Sequence, residues 1–226
     1  MLFSDLAARV SEVRERIAGA VERGGHGQAV TIIAVTKTHG PDAVRAAWEV
    51  GLRDVGENRV QEALAKMEAV TIPVSWHLIG HLQRNKVKAL DHFSLLHSID
   101  SHRLADAVSA YGLARCRPVD ALIQVNVVGE ESKGGFSLDA LPAEAERLVS
   151  CAGVRVAGVM TMAPYGAEER TLRRVFQGAR AARDMLASAG CPARELSMGM
   201  SNDYEFAVEE GATMVRLGTV LFGARS

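Results

Sequence analysis

The run Ile32-Ile33-Ala34-Val35-Thr36-Lys37 carries β-branched apolar residues right up to a cation. A strand built on Val30, Ile32, Ile33 and Val35 is buried on both faces. An amine at its end either snorkels to water or does chemistry there. Desolvation in an apolar pocket lowers a lysine pKa and leaves an amine able to condense with a carbonyl. A lysine that merely ends a strand is the plainer alternative. Other polar residues fall at comparable places: Glu57-Asn58, Gly80-His81, His97-Ser98, Asn126, Thr161-Met162, Ser201-Asn202, and Arg216 with Gly218-Thr219.

The elements that must position these residues are strands over Val30–Thr36, Asp54–Gly56, Val74–Ile79, Ser94–Ile99, Ala121–Val127, Val154–Thr161, Glu195–Gly199 and Thr213–Leu217. Helical patterns fill the intervals: Pro41–Val50, Arg59–Ala69, Asn85–Leu90, Ser101–Ala114, Leu138–Ser150, Ala167–Ala189, Asp203–Glu210 and Val220–Ala224. Strand and helix alternate eight times, which predicts an all-parallel sheet closed into a (β/α)8 TIM barrel; a doubly wound open sheet is the runner-up. Ahead of the first strand, Leu6, Val10, Val13 and Ile17 recur at helical spacing and predict an extra docking helix. No linker interrupts the pattern, so residues 1–226 are expected to form a single barrel domain.

On that map every polar group named above sits at a strand C-terminal end, the rim where barrel loops converge. Phosphate in such barrels is held by the loops after strands seven and eight, which here are "SMGMSND" and "VRLGTVLFG". Ser201 offers a hydroxyl, and Gly218 lets the backbone of Gly218-Thr219 approach an anion. Ordinary helix capping explains either motif taken alone.

Other chemistries are poorly supported. "GMSND" lacks the last glycine of a serine-hydrolase elbow. His77 and His81 have no H-E-x-x-H context for a metal, and "ESKGGF" lacks Walker spacing and reads as a mobile loop. "LQRNKVK" reads as a solvated helix face.

Composition narrows the classes further. Lys plus Arg total 26 against 27 Asp plus Glu, so no global field draws the chain to nucleic acid or membrane. Cys116, Cys151 and Cys191 are an odd, widely spaced three that fits a reducing cytoplasm. The first segment has no signal-peptide core, its Asp5, Glu12 and Glu15 argue against a presequence, and no apolar run approaches a membrane span. A cytoplasmic monomer is expected.

The stretches "AVTKTHG", "GENRVQEALAK", "WHLIGHLQRNKVK", "HSIDS", "QVNV", "GVMTM" and "LSMGMSNDYEFAVEEGATMVRLGTVLFGAR" occur in one chain. Together they resemble the pyridoxal phosphate homeostasis proteins (the YggS/PROSC family), whose fold is similar to the N-terminal barrel of alanine racemase. The resemblance implies that Lys37 holds pyridoxal 5′-phosphate as a Schiff base. It also implies that Ser201, Gly218 and Thr219 take the phosphate, that Asn58 lies beside the ring, that Arg216 faces the pyridine nitrogen and that Met200 belongs to the same cofactor-binding set. Thr36 stands where the family often has serine, and His81 occupies a variable position.

Three functions stay open at this point. The first is a binding protein rather than an enzyme: it acts in vitamin B6 homeostasis and amino-acid/keto-acid balance, and its partners are the cofactor and pyridoxal phosphate-dependent apo-enzymes. The second is a pyridoxal phosphate-dependent amino-acid racemase. That enzyme needs a second acid/base on the far face of the substrate, for which Tyr204 is the candidate, and a dry site, for which the sequence offers no second domain. The third is a lysine-dependent aldolase acting on a phosphorylated sugar.

Overall fold

The computed structural model describes residues 3–130 and 134–223. Among the described residues there are nine parallel strands, eight of them in a ring: β1 (Thr31–Val35), β2 (Asp54–Glu57), β3 (Ser75–Leu78), β4 (Leu95–Ile99), β5 (Val119–Asn126), β7 (Val154–Met160), β8 (Glu195–Ser197) and β9 (Met214–Leu217). β6 (Phe136–Ser137) is a two-residue addition on β5, with Val125 opposite Phe136. The ring closes because β1 pairs with β9 as well as β2, and β4 pairs with β5. The expected barrel is therefore the observed one, and the open sheet is excluded by those closing pairs.

Helices α1 (Leu6–Gly24), α2 (Pro41–Glu49), α3 (Val60–Ala69), α4 (His102–Ala114), α5 (Leu141–Ser150), α6 (Glu169–Ser188), α7 (Tyr204–Glu209) and α8 (Thr219–Phe222) form the outer layer. Most boundaries fall within two residues of expectation, and two elements differ more. Arg84–His92 is a 3-10 helix rather than an α-helix, and α5 begins at Leu141 because Phe136–Ser137 is taken into the sheet. Of the last expected helix, Ala224 lies outside the described residues, as do residues 131–133 of the loop "ESKGGF".

Two apolar layers hold the barrel. The larger lies between strands and helices and includes Ile32, Ala34, Ile123, Val159, Phe176 and the α1 stripe Leu6, Val10, Val13 and Ile17. Each such large side chain contributes about 1.5–3 kcal/mol by leaving water. The smaller layer, Leu95, Leu122 and Met160, forms a separate cluster. Register places it inside the ring: His77 opposes Leu95, and Met160 opposes Ser197. The same strand faces therefore carry His77, His97, Ser197 and Arg216. The barrel interior mixes polar with apolar side chains.

Helix α1 lies outside this ring against α7. Beyond its apolar stripe, Arg23 Nε donates to Glu209 Oε1 at 2.6 Å, and Arg16 pairs with Glu205.

Candidate functional site

The C-terminal rim of the barrel opens into a cavity of about 1030 Å³ whose walls include Lys37, Asn58, Met200, Ser201, Arg216, Gly218 and Thr219. All seven residues singled out in the sequence thus share one space, although they come from four different strand–helix junctions. His81, Asp100, Gln124 and Tyr165 extend the wall. Tyr165 is 91% exposed, so the cavity reaches solvent.

Lys37 follows β1 by two residues and is partly buried. The backbone on both sides of it is fastened by α3. Lys66 Nζ donates to the carbonyl of Thr36 at 2.7 Å, and Thr38, in the left-handed region at φ 71°, donates its N–H to Glu62 Oε1 at 2.6 Å. A non-glycine residue held there costs about 1–3 kcal/mol and persists only where neighbours over-determine it. Lys66 Nζ also reaches Glu57 Oε1 (2.6 Å) and Glu62 Oε1 (2.8 Å), and Glu57 accepts from the Thr36 hydroxyl. Burial pushes the Glu57 carboxyl up, with the bonds from Lys66 and Thr36 opposing. Burial also raises Glu62, but the bonds from Lys66 and the Thr38 N–H outweigh it and leave that carboxyl below its ordinary range.

On the neighbouring junction, Gly80 packs so close to Asn58 that a Cβ would lie 2.3 Å from the Asn58 carbonyl oxygen. Only glycine lets the loops after β2 and β3 meet there. Gly199, at φ 92°, turns the chain after β8 and delivers Met200 and Ser201, and its carbonyl accepts from Arg216 N at 3.0 Å. The two anion-type loops are tied together by Val220 N–H donating to Ser201 Oγ at 3.3 Å. Gly218 would tolerate a Cβ, whose nearest neighbour would be Val35 O at 3.4 Å.

Arg216 is 5% exposed and points inward from β9. One terminal nitrogen donates to Ser197 O and Ser197 Oγ, both at 2.7 Å, and the other to Thr161 O at 2.9 Å. A guanidinium has five N–H donors, so these three bonds leave two over. Burial pushes Arg216 down to about 10, with Asp203 opposing, and it remains a cation at neutral pH.

Several expected rim residues are structural. Asn126 bonds the backbone of Glu130, Ser98 Oγ donates to Gly80 O, and Thr161 Oγ1 donates to Val125 O. His77 and His81 do not meet over a metal. His77 bonds His97 and Asp54, His81 bonds Asp100, and the described residues hold no metal-binding cluster of three or more His, Cys, Asp or Glu. Tyr204 turns towards Arg16 of α1, whose Cζ is 5.8 Å from its ring centre, and does not line the main cavity. Lys66 was missed by sequence reading. Its only signal was a lysine on the apolar face of a helix, four residues after Glu62.

Residues 9–226 match the family model described as alanine racemase, N-terminal domain. Pyridoxal phosphate homeostasis proteins of Aquifex aeolicus and Pseudomonas aeruginosa are 43% and 41% identical to this chain, over 96% and 99% of its length and 97% of theirs. The chain belongs to the pyridoxal phosphate homeostasis protein family. PipY of Synechococcus elongatus, solved with PLP bound, is 36% identical with a TM-score of 0.85, covering 96% of this chain and all of that one. Alanine racemase of Corynebacterium glutamicum shares the fold at 16% identity and a TM-score of 0.75, over 99% of this chain and 62% of its own length. Among the described residues no helix is long and apolar enough to cross a membrane.

Proposed function

We propose that this member of the family binds pyridoxal 5′-phosphate reversibly in the rim cavity and serves vitamin B6 homeostasis, with Lys37 holding the aldehyde carbon as a Schiff base. The observation that carries the reading is the donor set of one cavity. It combines the Lys37 amine, a hydroxyl pair (Ser201 and Thr219) beside the glycine backbone of residue 218, and an inward guanidinium. That set matches an aldehyde, a phosphate ester and a pyridine nitrogen. The open space that Gly218 leaves on the wall suits close approach of an anion to backbone.

When bound, the cofactor supplies an electrophilic carbonyl. The chain's own residues do the rest. Lys66 and Glu62 fix the backbone from which Lys37 extends; Ser201, Gly218 and Thr219 would hold the ester, and Asn58 and Met200 would flank the ring. Arg216 would meet the ring nitrogen with a group that donates and cannot accept, which would favour the unprotonated pyridine.

Holding and release suit this site better than turnover. Exposed Tyr165, Asn202 and Thr219 on the wall keep water at hand, whereas acid–base catalysis on an amino acid is favoured by a closed, dry site. An incoming amine would displace the Lys37 amine from the aldehyde carbon and free it, which would release the cofactor to apo-enzymes and link the protein to the balance of amino and keto acids. The racemase reading would need a second acid/base across the cavity from Lys37; Tyr204, the residue expected for that part, is directed elsewhere, which leaves His81, Asp100 and Tyr165 among the titratable groups on the wall.

The test is the absorbance spectrum of protein incubated with pyridoxal phosphate, before and after borohydride, followed by peptide mass mapping. The expected result is a yellow band fixed to the peptide bearing Lys37. Attachment elsewhere, or none, overturns the reading. Racemisation of single L-amino acids well above that of free cofactor would favour the enzyme.

A further inference from the structure

Inside the barrel, five side chains form an unbroken line from the N-terminal end to the cavity. Asp54, at the start of β2, lies 3.0 Å through Oδ1 from His77 Nε2. His77 Nδ1 lies 2.9 Å from His97 Nε2, and His97 Nδ1 lies 2.9 Å from Ser197 Oγ. Ser197 Oγ accepts from Arg216 at 2.7 Å. The His97–Ser197 link spans the interior, because β4 and β8 are not neighbours in the ring. His97 and Ser197 are fully buried, and His77 is nearly so.

Donor and acceptor arithmetic gives this line a direction. An ionised Asp54 can only accept, so His77 carries hydrogen on Nε2. A neutral His77 then has a bare Nδ1, which must accept from His97 Nε2–H. A neutral His97 in turn accepts at Nδ1 from the Ser197 hydroxyl, whose oxygen accepts from Arg216, a group that can only donate. Every member donates once and accepts once between a fixed cation and a fixed anion, and such chains polarise cooperatively. The competing arrangement, a doubly protonated His77, would put hydrogen on His97 Nδ1, make Ser197 Oγ accept twice and turn the Ser197 hydroxyl hydrogen out of the line. Burial, followed by His77 and Arg216, pushes His97 well below the ordinary histidine value, which favours the neutral ring.

We propose that Asp54, His77, His97 and Ser197 form a one-directional hydrogen-bond relay, both imidazoles carrying their single proton on Nε2, that positions Arg216 at the cavity. They are positioning residues: none of the four lines the cavity, and they act through the guanidinium that does. Asp54 is thereby the remote counter-charge of Arg216, placed at the other end of the barrel. The effect on the cofactor ring rests on the function proposed above, while the relay itself does not.

The experiment has two arms. In cofactor-free protein with 15N-labelled histidine, long-range proton–nitrogen correlation should show His77 and His97 each protonated on Nε2 with Nδ1 bare. Hydrogen on Nδ1 of either ring overturns the relay. Asp54→Ala should abolish the single tautomer at His77, and Asp54→Asn, which keeps an accepting oxygen, should restore it; unchanged nitrogen shifts in Asp54→Ala would overturn the assignment. In the second arm, protein is incubated with pyridoxal phosphate, and Ser197→Ala should shift the absorbance maximum while Lys37 remains the labelled residue. An unchanged maximum refutes the positioning of Arg216. Failure of the wild-type protein to take up the cofactor sinks the proposed function instead, and the nitrogen shifts still decide the relay.

Discussion

Replacing Lys66 with methionine removes the cation that three groups share and leaves the stem volume in place. Glu57, with no exposed surface, then keeps only the Thr36 hydroxyl, and Thr36 O loses its Nζ donor. Breaking a buried ion pair from one side costs about 3–5 kcal/mol because the other charge stays buried. For a chain of this size each kcal/mol moves Tm by about 2–4 °C, so Lys66→Met should lose about 6–20 °C at neutral pH. The loss should also depend on pH. Burial already holds the Glu57 carboxyl above its ordinary value, against the pull of Lys66 and Thr36; without Lys66 it climbs further. A carboxyl with a raised folded-state pKa binds its proton more tightly folded than unfolded. The deficit is therefore full above the folded pKa and shrinks as pH falls through it towards the unfolded value. Thermal unfolding at about pH 8 and about pH 5 reads this directly, with the variant recovering part of its loss at the lower pH. Adding Glu57→Gln should restore much of the stability at neutral pH by removing the stranded charge. An equal loss at both pH values, or a loss below about 3 °C, would refute the idea that a desolvated charge governs this corner of the barrel.

Lys37→Ala should leave Tm within about 2 °C, because a rim side chain adds little to the core, and should abolish the yellow band with pyridoxal phosphate; a retained band would remove the lysine from the reading. Arg216→Ala should behave differently. It takes a charged hydrogen bond from Thr161 O, worth about 1.5–3 kcal/mol, so Tm should fall by several degrees as the spectrum changes, and wild-type stability would show that the inward guanidinium holds nothing together. Gly80→Ala forces a Cβ to within 2.3 Å of Asn58 O, an overpacking worth about 1–3 kcal/mol. It should lower both Tm and cofactor retention, measured by unfolding and by dialysis against buffer; unaltered retention would detach Asn58 from the ring.

How far the sequence is legible depends on how local each feature is. Strands β1, β5 and β7 are rich in β-branched apolar residues, the shorter ring strands are bracketed by amphipathic helices, and all eight are found within a residue or two. Phe136–Ser137 is too short to have a period, and it exists only because the end of β5 offers it an edge. Six of the seven cavity residues are legible because barrel topology brings strand C-termini together whatever lies between them, while Met200 enters only through the family resemblance. The interior line is not. His77 reads naturally with His81, four residues on, yet its partners are His97 on the next strand and Asp54 on the previous one. His97 meets Ser197 a hundred positions away, across a space that sequence does not measure. Lys66 escapes for the same reason, since its bond to Thr36 O needs α3 to be folded back on β1.

The pairing of β1 with β9, in which Ala34 sits opposite Leu217, places the junction bearing Lys37 beside the one bearing Gly218 and Thr219. Amine and anion loops are therefore distant along the backbone and adjacent only once the cylinder has shut. A half-assembled chain possesses each fragment and cannot grip a ligand with both. Any molecule bridging that seam adds its binding free energy to closure itself, by mass action on the finished ring alone. Occupancy then doubles as a clasp, so a loaded barrel resists opening at this seam more than an empty one.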